Sequence, residues 1–410
     1  MKKRLLHFSS PSPEMRTALN LAALQGFFWF GWSFSCYGTV YLQNNGFPAS
    51  DLGALNAISS TVAIFAMMLW GLLSDKINSI KFTFLFALVG TAVFHGLIPF
   101  LPTGTPYTII IFFLYYPFVN FFRCSLATLL DNLTVRSCAE KQLNYGVIRA
   151  LGSFTFTIGS FVIVALIPYT GVGASFWLSG LLMIPALLSL LFSHDPKMVL
   201  QKNAHKVKVS PKPLFKNYFY VTFLIFAAII YVAFSAEFSF ITYFMEDIGV
   251  PNSNFGTLLA VRAVMEVPLL LVIVKLRKKF HLKYLIMLAC TLMASEGLFL
   301  GLTANGLTSM LICGALFGLG NGLFLGTVSL YLFKLSPDNL KASAQTIFAA
   351  VSSVSGIVGN LVGGFAYELF GGRTFYILLG CIILFGVGIF ALTLALKKNL
   401  PNPGDLMESR

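Results

Sequence analysis

Within the stretch from about residue 131 to 159, Asp131 and Arg149 interrupt apolar runs on either side of a short polar segment. Asp131 lies eight residues before Ala139 and Arg149 ten after it, so a turn near Ala139 would carry both charges to a similar depth. At about 1.5 Å of helical rise per residue that depth is roughly 12–15 Å, within hydrocarbon if the runs span a bilayer. Ionisable side chains so placed turn toward the protein interior and mark a substrate or ion pathway. A carboxylate offers acceptors and a guanidinium forked donors, a combination that can hold vicinal hydroxyls, although a structural helix–helix ion pair uses the same two residues.

Other ionisable residues also stand inside apolar runs: Glu237, Glu266, Glu296, Arg123 and Arg262. Together with Asp131 and Arg149 they sum to −1 when all are ionised, so one acid can hold a proton. Burial without a partner favours a neutral carboxyl. Glu237, Glu296 and Glu266 are therefore the candidate proton-coupling residues. Glu266 follows Arg262 by four residues, which predicts a local ion pair; Glu237 and Glu296 have no local partner, and Arg123 is the expected cross-helix partner of either. Asn120 lies eleven residues before Asp131 on one helical face, and Trp32 and Tyr37 sit mid-run, so all three are candidate cavity residues. Asn321 lies in the run Gly318-Leu-Gly-Asn-Gly322, where hydrogen bonding to a substrate competes with simple close packing of helices.

Several chemistries lack their residues. No GxxxxGK[ST] segment is present for a nucleotide, and neither a CxxC pair nor a histidine cluster for a metal, so no cofactor is expected. A membrane-embedded enzyme would need an acid–histidine set. The only adjacent pair is His194-Asp195, in a polar segment and followed by Pro196.

The elements that must position these groups are read from composition. Hydrophobic residues make up 57% of the 410, charged residues 10%, and Phe occurs 42 times, which describes a polytopic, all-α membrane protein. Apolar runs at 17–43, 49–73, 81–101, 107–135, 142–168, 173–193, 218–245, 252–274, 282–302, 307–334, 341–369 and 373–396 predict twelve transmembrane helices. Twenty-four of the 28 Lys and Arg fall on the side of the termini and the loops near 74–81, 136–141, 194–217, 275–283 and 334–341, and on the other side only Arg373 does. That asymmetry predicts cytoplasmic termini, and it turns the net charge of +13 into a topology and lipid signal that needs no nucleic-acid partner. The expected organisation is two six-helix bundles, 1–193 and 218–396, around a lysine-rich cytoplasmic loop at 194–217, with a cytoplasmic tail from 397 to 410.

The segment Gly71-Leu-Leu-Ser-Asp75-Lys76-Ile-Asn-Ser-Ile-Lys81 resembles the loop signature of the major facilitator superfamily, with Asn78 where the signature turns on glycine. Gly71, Asp75 and Lys76 are then the expected conformational loop residues. Within that superfamily the chain resembles the lactose permease-like oligosaccharide:proton symporters and their phenylpropionate and nucleoside relatives. Tyr145-Gly-Val-Ile-Arg149-Ala-Leu-Gly152, with Asp131 eighteen residues before its arginine, and Leu288-Ala-Cys-Thr-Leu-Met-Ala-Ser-Glu296 carry that likeness. The resemblance implies a proton-driven carrier in a bacterial cytoplasmic membrane, working as a monomer. It implies that Asp131 and Arg149 bind sugar hydroxyls and that Phe156, where tryptophan is usual, stacks on the ring. It leaves two alternatives, a nucleoside or an aromatic carboxylate. The chain departs from the sugar carriers at Gly318–Gly322, which lacks their histidine and glutamate.

Overall fold

The computed structural model describes residues 13–196, 211–337 and 340–397. Lys2, Lys3, Arg4, four of the six lysines of the central loop and the tail beyond 397 lie outside the described residues. In chain order the helices are α1 (Pro13–Phe34), α2 (Gly38–Asn44), α3 (Ala49–Ile77), α4 (Ile80–Gly96), α5 (Thr108–Arg123), α6 (Leu126–Lys141), α7 (Tyr145–Thr170), α8 (Ala174–Leu182), α9 (Ile184–Phe192), α10 (Lys212–Lys216), α11 (Tyr218–Asp247), α12 (Phe255–Lys279), α13 (Leu282–Thr303), α14 (Leu307–Leu335) and α15 (Lys341–Leu396). Ten helical stretches among the described residues are long and apolar enough to cross a membrane. The last of these turns at Gly371, whose φ of 73° breaks α15 into two helices at the expected connector.

Local chemistry accounts for most boundaries. Asn144 and Asn217 accept bonds from the first free N–H groups of α7 and α11, and Ser79 does so for α4. Asn78 closes α3 at φ 52°, the left-handed conformation that asparagine tolerates, three residues after the exposed Asp75 and two after the exposed Lys76. The backbone N–H of Lys81 donates to Asp195 Oδ1 at 3.3 Å and its Nζ to the carbonyls of Leu191 and Ser193, each at 2.7 Å. The aspartate of the His194-Asp195 pair thus holds the end of α9 against the start of α4.

Two expectations need correction. The hairpin before Arg149 turns at Gln142, φ 54°, through Asn144, instead of near Ala139. Cys138–Lys141 contain no helix breaker, so α6 runs on to the left-handed residue. Arg149 is consequently only four residues into α7, about 6 Å, whereas Asp131 is ten residues, about 15 Å, from the end of α6. The first expected span is also not one helix. Ser33 and Ser35 donate their hydroxyls to the carbonyls of Phe30 and Trp32, and the chain tightens over Ser35–Tyr37 before α2 begins.

The helices before and after the central polar segment meet near the connectors opposite the basic loops. Gln43 donates to the carbonyl of Thr242 and to Glu246, Ser50 N–H to Glu368, Asn56 to Ser239, and the Tyr243 hydroxyl to the carbonyl of Phe47. A Cβ on Gly53 would lie 2.4 Å from the carbonyl oxygen of Asn360, so a side chain there would force α3 and α15 apart. Tyr37, fully buried, contributes a further tie: its hydroxyl accepts from Gly256 N–H at 2.8 Å and donates to the Ser253 carbonyl at 3.1 Å. Tyr37→Phe leaves that amide unpaired at a cost of about 1–3 kcal/mol, and the equilibrium for making this contact should fall roughly 5- to 150-fold. Distance distributions between spin labels on Thr103 and Asn305 read the shift, and an unchanged distribution would reduce Tyr37 to packing.

Candidate functional site

The hand of α1 and α7 sets one wall of the site. Trp29 and Trp32 on α1 and Arg149, Ser153 and Phe156 on α7 recur at helical spacing, so each set projects from one face. Arg149 Nε lies 3.3 Å from Asp131 Oδ1 on α6, its Nη1 donates to Ser153 Oγ at 3.4 Å, and its guanidinium lies over the Trp29 ring at 4.5 Å. The ring is pinned in turn: Trp29 Nε1 donates to Gln25 Oε1 at 2.9 Å, and the Gln25 amide donates to Thr134 Oγ1 and Asp131 Oδ1 at 3.0 and 3.4 Å. Asp131, Arg149, Trp29 and Gln25 therefore form a closed circuit. Gly152 leaves room for it, since a Cβ there would come within 2.4 Å of Trp29 Cδ1. The pair is about one-third exposed, 37% at Asp131 and 29% at Arg149, so it is open to competition from a ligand.

The opposite wall is built on α11, α12, α13 and α14. Arg262 on α12 is 4% exposed and is gripped by two carboxylates: its Nη2 donates to Glu237 Oε1 at 2.5 Å and to Glu296 Oε1 at 2.6 Å, and its Nη1 to Glu237 Oε2 at 3.4 Å. The Phe317 ring covers its guanidinium at 4.3 Å. One turn along α12, Glu266 Oε1 accepts from Asn321 Nδ2 at 2.7 Å. Gly318 and Gly322, on either side of Asn321, bring the two backbones together, for a Cβ there would meet the carbonyl oxygens of Arg262 and Glu266 at 2.3 and 2.6 Å. The Gly-rich run thus packs α14 on α12 and also presents Asn321. Between the walls is a cavity of about 330 Å³, lined on one side by Trp29, Trp32, Arg149 and Phe156 and on the other by Arg262, Glu266, Phe317 and Asn321. That volume and its mix of rings with a few convergent polar groups are those of a small-molecule site.

Other sequence-selected residues fall elsewhere. The Asn120 amide donates to the Ser59 carbonyl at 2.8 Å and ties α5 to α3, and Tyr37 is the closing contact described above. Arg123 does not reach Glu237 or Glu296: it donates to the backbone oxygen and hydroxyl of Ser35 at 3.3 and 2.9 Å and lies over Trp32 at 4.4 Å, serving the carbonyl freed where α1 ends. Nor does Arg262 pair with Glu266, because both glutamates across the interface outcompete the helical neighbour. Gly71, Asp75 and Lys76 lie in the last two turns of α3, outside the cavity. Gln25 escapes the sequence reading, and Trp29, one of several rings on the runs that could line a cavity, is not singled out by it, although a glutamine four residues before a tryptophan in an apolar run carries their pairing.

Comparison with known proteins bears on the class. The chain is 25% identical over 400 residues to "Uncharacterized transporter YwbF" of Bacillus subtilis (strain 168), covering 94% of this chain and 96% of the relative. It is 23% identical to the "Maltose permease" of Geobacillus stearothermophilus, over 91% of this chain and 92% of that one. The solved nucleoside transporter NupG shares the fold with a TM-score of 0.77 at 16% identity, covering 93% of this chain and 99% of NupG. These relatives and this fold neighbour are transporters. The family described as "MFS_1 like family" matches residues 21–378, nearly the whole described membrane region, and the chain belongs to that family of major facilitator transporters.

Proposed function

We propose that the protein imports a small polyhydroxylated solute, an oligosaccharide, together with a proton across a bacterial cytoplasmic membrane, as a twelve-span monomer with both termini in the cytosol. The observation that carries the substrate is the Arg149–Trp29 contact at the cavity wall, backed by Asp131, which pairs with Arg149 from outside the cavity lining. Asp131 Oδ1 and Arg149 Nε can exchange their mutual contact for bonds to vicinal hydroxyls, while the rings of Trp29 and Phe156 offer apolar faces to a pyranose. The maltose permease relative supports the same choice. With the basic loops in the cytosol, the end closed by Tyr37 faces outward and the cavity faces inward, one extreme of an alternating-access cycle in which the bundles 1–193 and 218–396 rock about the site.

Proton coupling falls to the acids of the opposite wall. Arg262 with Glu237 and Glu296 carries a net −1 when all three are ionised, and one proton neutralises the set. Glu266, which lines the cavity beside Asn321, is the acid positioned to pass that proton when substrate arrives. Glu266→Gln keeps an acceptor for Asn321 and removes the titration. Exchange of substrate across the membrane should then persist while accumulation driven by a pH gradient falls to the level without a gradient, a loss of up to about tenfold per pH unit for one proton per substrate; equal losses in both would remove Glu266 from the proton path.

Proteoliposomes with a trapped pH-sensitive dye, given disaccharides, nucleosides and aromatic acids in turn, test the whole reading. Lumen acidification with one sugar alone is the expected result. A nucleoside or aromatic acid giving the only response would transfer the cavity to that substrate, with Phe156 and Trp29 stacked on a flat ring. Turnover of a lipid or acyl donor without uptake would overturn transport itself.

A further inference from the structure

A second cavity, of about 380 Å³, lies between α12, α13 and α14 and is wholly apolar. Leu276, Leu285, Leu288 and Leu323 form its walls, and Phe280 and Tyr284 stand at the end next to the basic loop between α12 and α13. Phe280, Tyr284 and Leu288 are half-exposed, so the groove opens onto the surface of the bundle. Both rings carry an ammonium: Lys279 Nζ is 5.7 Å from the Phe280 centroid and Lys283 Nζ is 5.2 Å from that of Tyr284. Lys275, Arg277 and Lys278 add to the same end.

We propose that this groove binds an anionic phospholipid, with one acyl chain between the three helices and its phosphate against Lys279 and Lys283. In a bilayer an apolar groove gains nothing by exchanging one lipid chain for another, because both are already in hydrocarbon. Selection between lipids must then come from the headgroup, and the cations at the mouth of this groove fix its sign. The groove sets where the lipid sits, and the two lysines set which lipid it is.

Native mass spectrometry of the delipidated full chain, titrated with phosphatidylglycerol or phosphatidylcholine, tests this. Phosphatidylglycerol should be retained about 30-fold more than phosphatidylcholine, from about 1 kcal/mol at each of the two lysines. Lys279→Gln with Lys283→Gln should remove most of that preference, leaving only what Lys275, Arg277 and Lys278 contribute from the same end. Leu288→Trp, which fills the groove and leaves every base in place, should remove the retained lipid; Leu288→Phe, a smaller change, should weaken it if the tryptophan variant melts early. Equal retention of the two lipids overturns the proposal, as does phosphatidylglycerol retention that survives both Leu288 variants, which would mean a diffuse basic belt. A dimer lost on filling the groove would assign it to a second copy of the chain and also overturn the proposal.

Discussion

Arg149→Ala is expected to weaken substrate binding by two to four orders of magnitude while leaving the protein folded. The two halves of that statement have separate grounds. In the proposed complex the guanidinium supplies two charge-assisted hydrogen bonds, each contributing about 1.5–3 kcal/mol, so their joint loss is roughly 3–6 kcal/mol, or 10²- to 10⁴-fold. The bond to Asp131 contributes far less to stability, since both groups are about one-third exposed and such pairs are worth about 0–1 kcal/mol. Arg149→Lys separates charge from geometry: an ammonium keeps the attraction to Asp131 but has neither the fork nor the flat face that rests on Trp29. It should fall between wild type and alanine. Titration calorimetry of the substrate identified by the uptake panel, with thermal melting of the same preparations, measures both terms. Affinity within about threefold of wild type in Arg149→Ala would remove this residue from the site, since it corresponds to less than 1 kcal/mol.

The sequence reveals the charges more readily than their partners. Asp131, Arg149, Glu237, Arg262 and Glu296 are conspicuous because ionisable residues are costly in apolar runs. Asp131 and Arg149 flank one hairpin, so local connectivity already suggests their meeting. The three residues of the Arg262 cluster come from three helices separated by 25 and 34 positions, and no local rule pairs them; the i,i+4 rule even points Arg262 to Glu266. Trp29 is obscured differently. Among 42 phenylalanines, four tryptophans and 15 tyrosines a single ring carries no signal, and only its bond to Gln25 singles it out. Asn78 was legible because so few residues accept a left-handed conformation. The break at Ser35–Tyr37 was not, because serines that bond back to a carbonyl also occur within unbroken helices, and the Arg123 that serves the freed carbonyl comes from another helix.

The largest effect on stability belongs to Arg262. Removing it by Arg262→Ala leaves Glu237 and Glu296 facing one another, each at most 5% exposed, with no cation between them. Breaking a buried ion pair from one side costs about 3–5 kcal/mol, because the surviving charge keeps its desolvation penalty without its partner. Here two carboxylates survive, so the upper end of that range applies, and the variant should melt far below wild type or fail to accumulate in the membrane. The same argument predicts a rescue. If the penalty is electrostatic, Glu237→Gln and Glu296→Gln combined with Arg262→Met, which roughly preserves volume and keeps contact with Phe317, should restore most of the stability, since replacing a whole buried ion cluster by neutral groups is often nearly neutral. The rescued protein has no titratable group left in the cluster. Thermal melting of wild type, Arg262→Ala and the triple variant separates the contributions: a triple variant as unstable as Arg262→Ala would mean that the arginine acts through its packing beneath Phe317 and against α14, and not through its charge. A stable triple variant that exchanges substrate but no longer accumulates it against a gradient would place the coupling proton within the cluster, and one that still accumulates substrate would leave Glu266 as the acid that carries it.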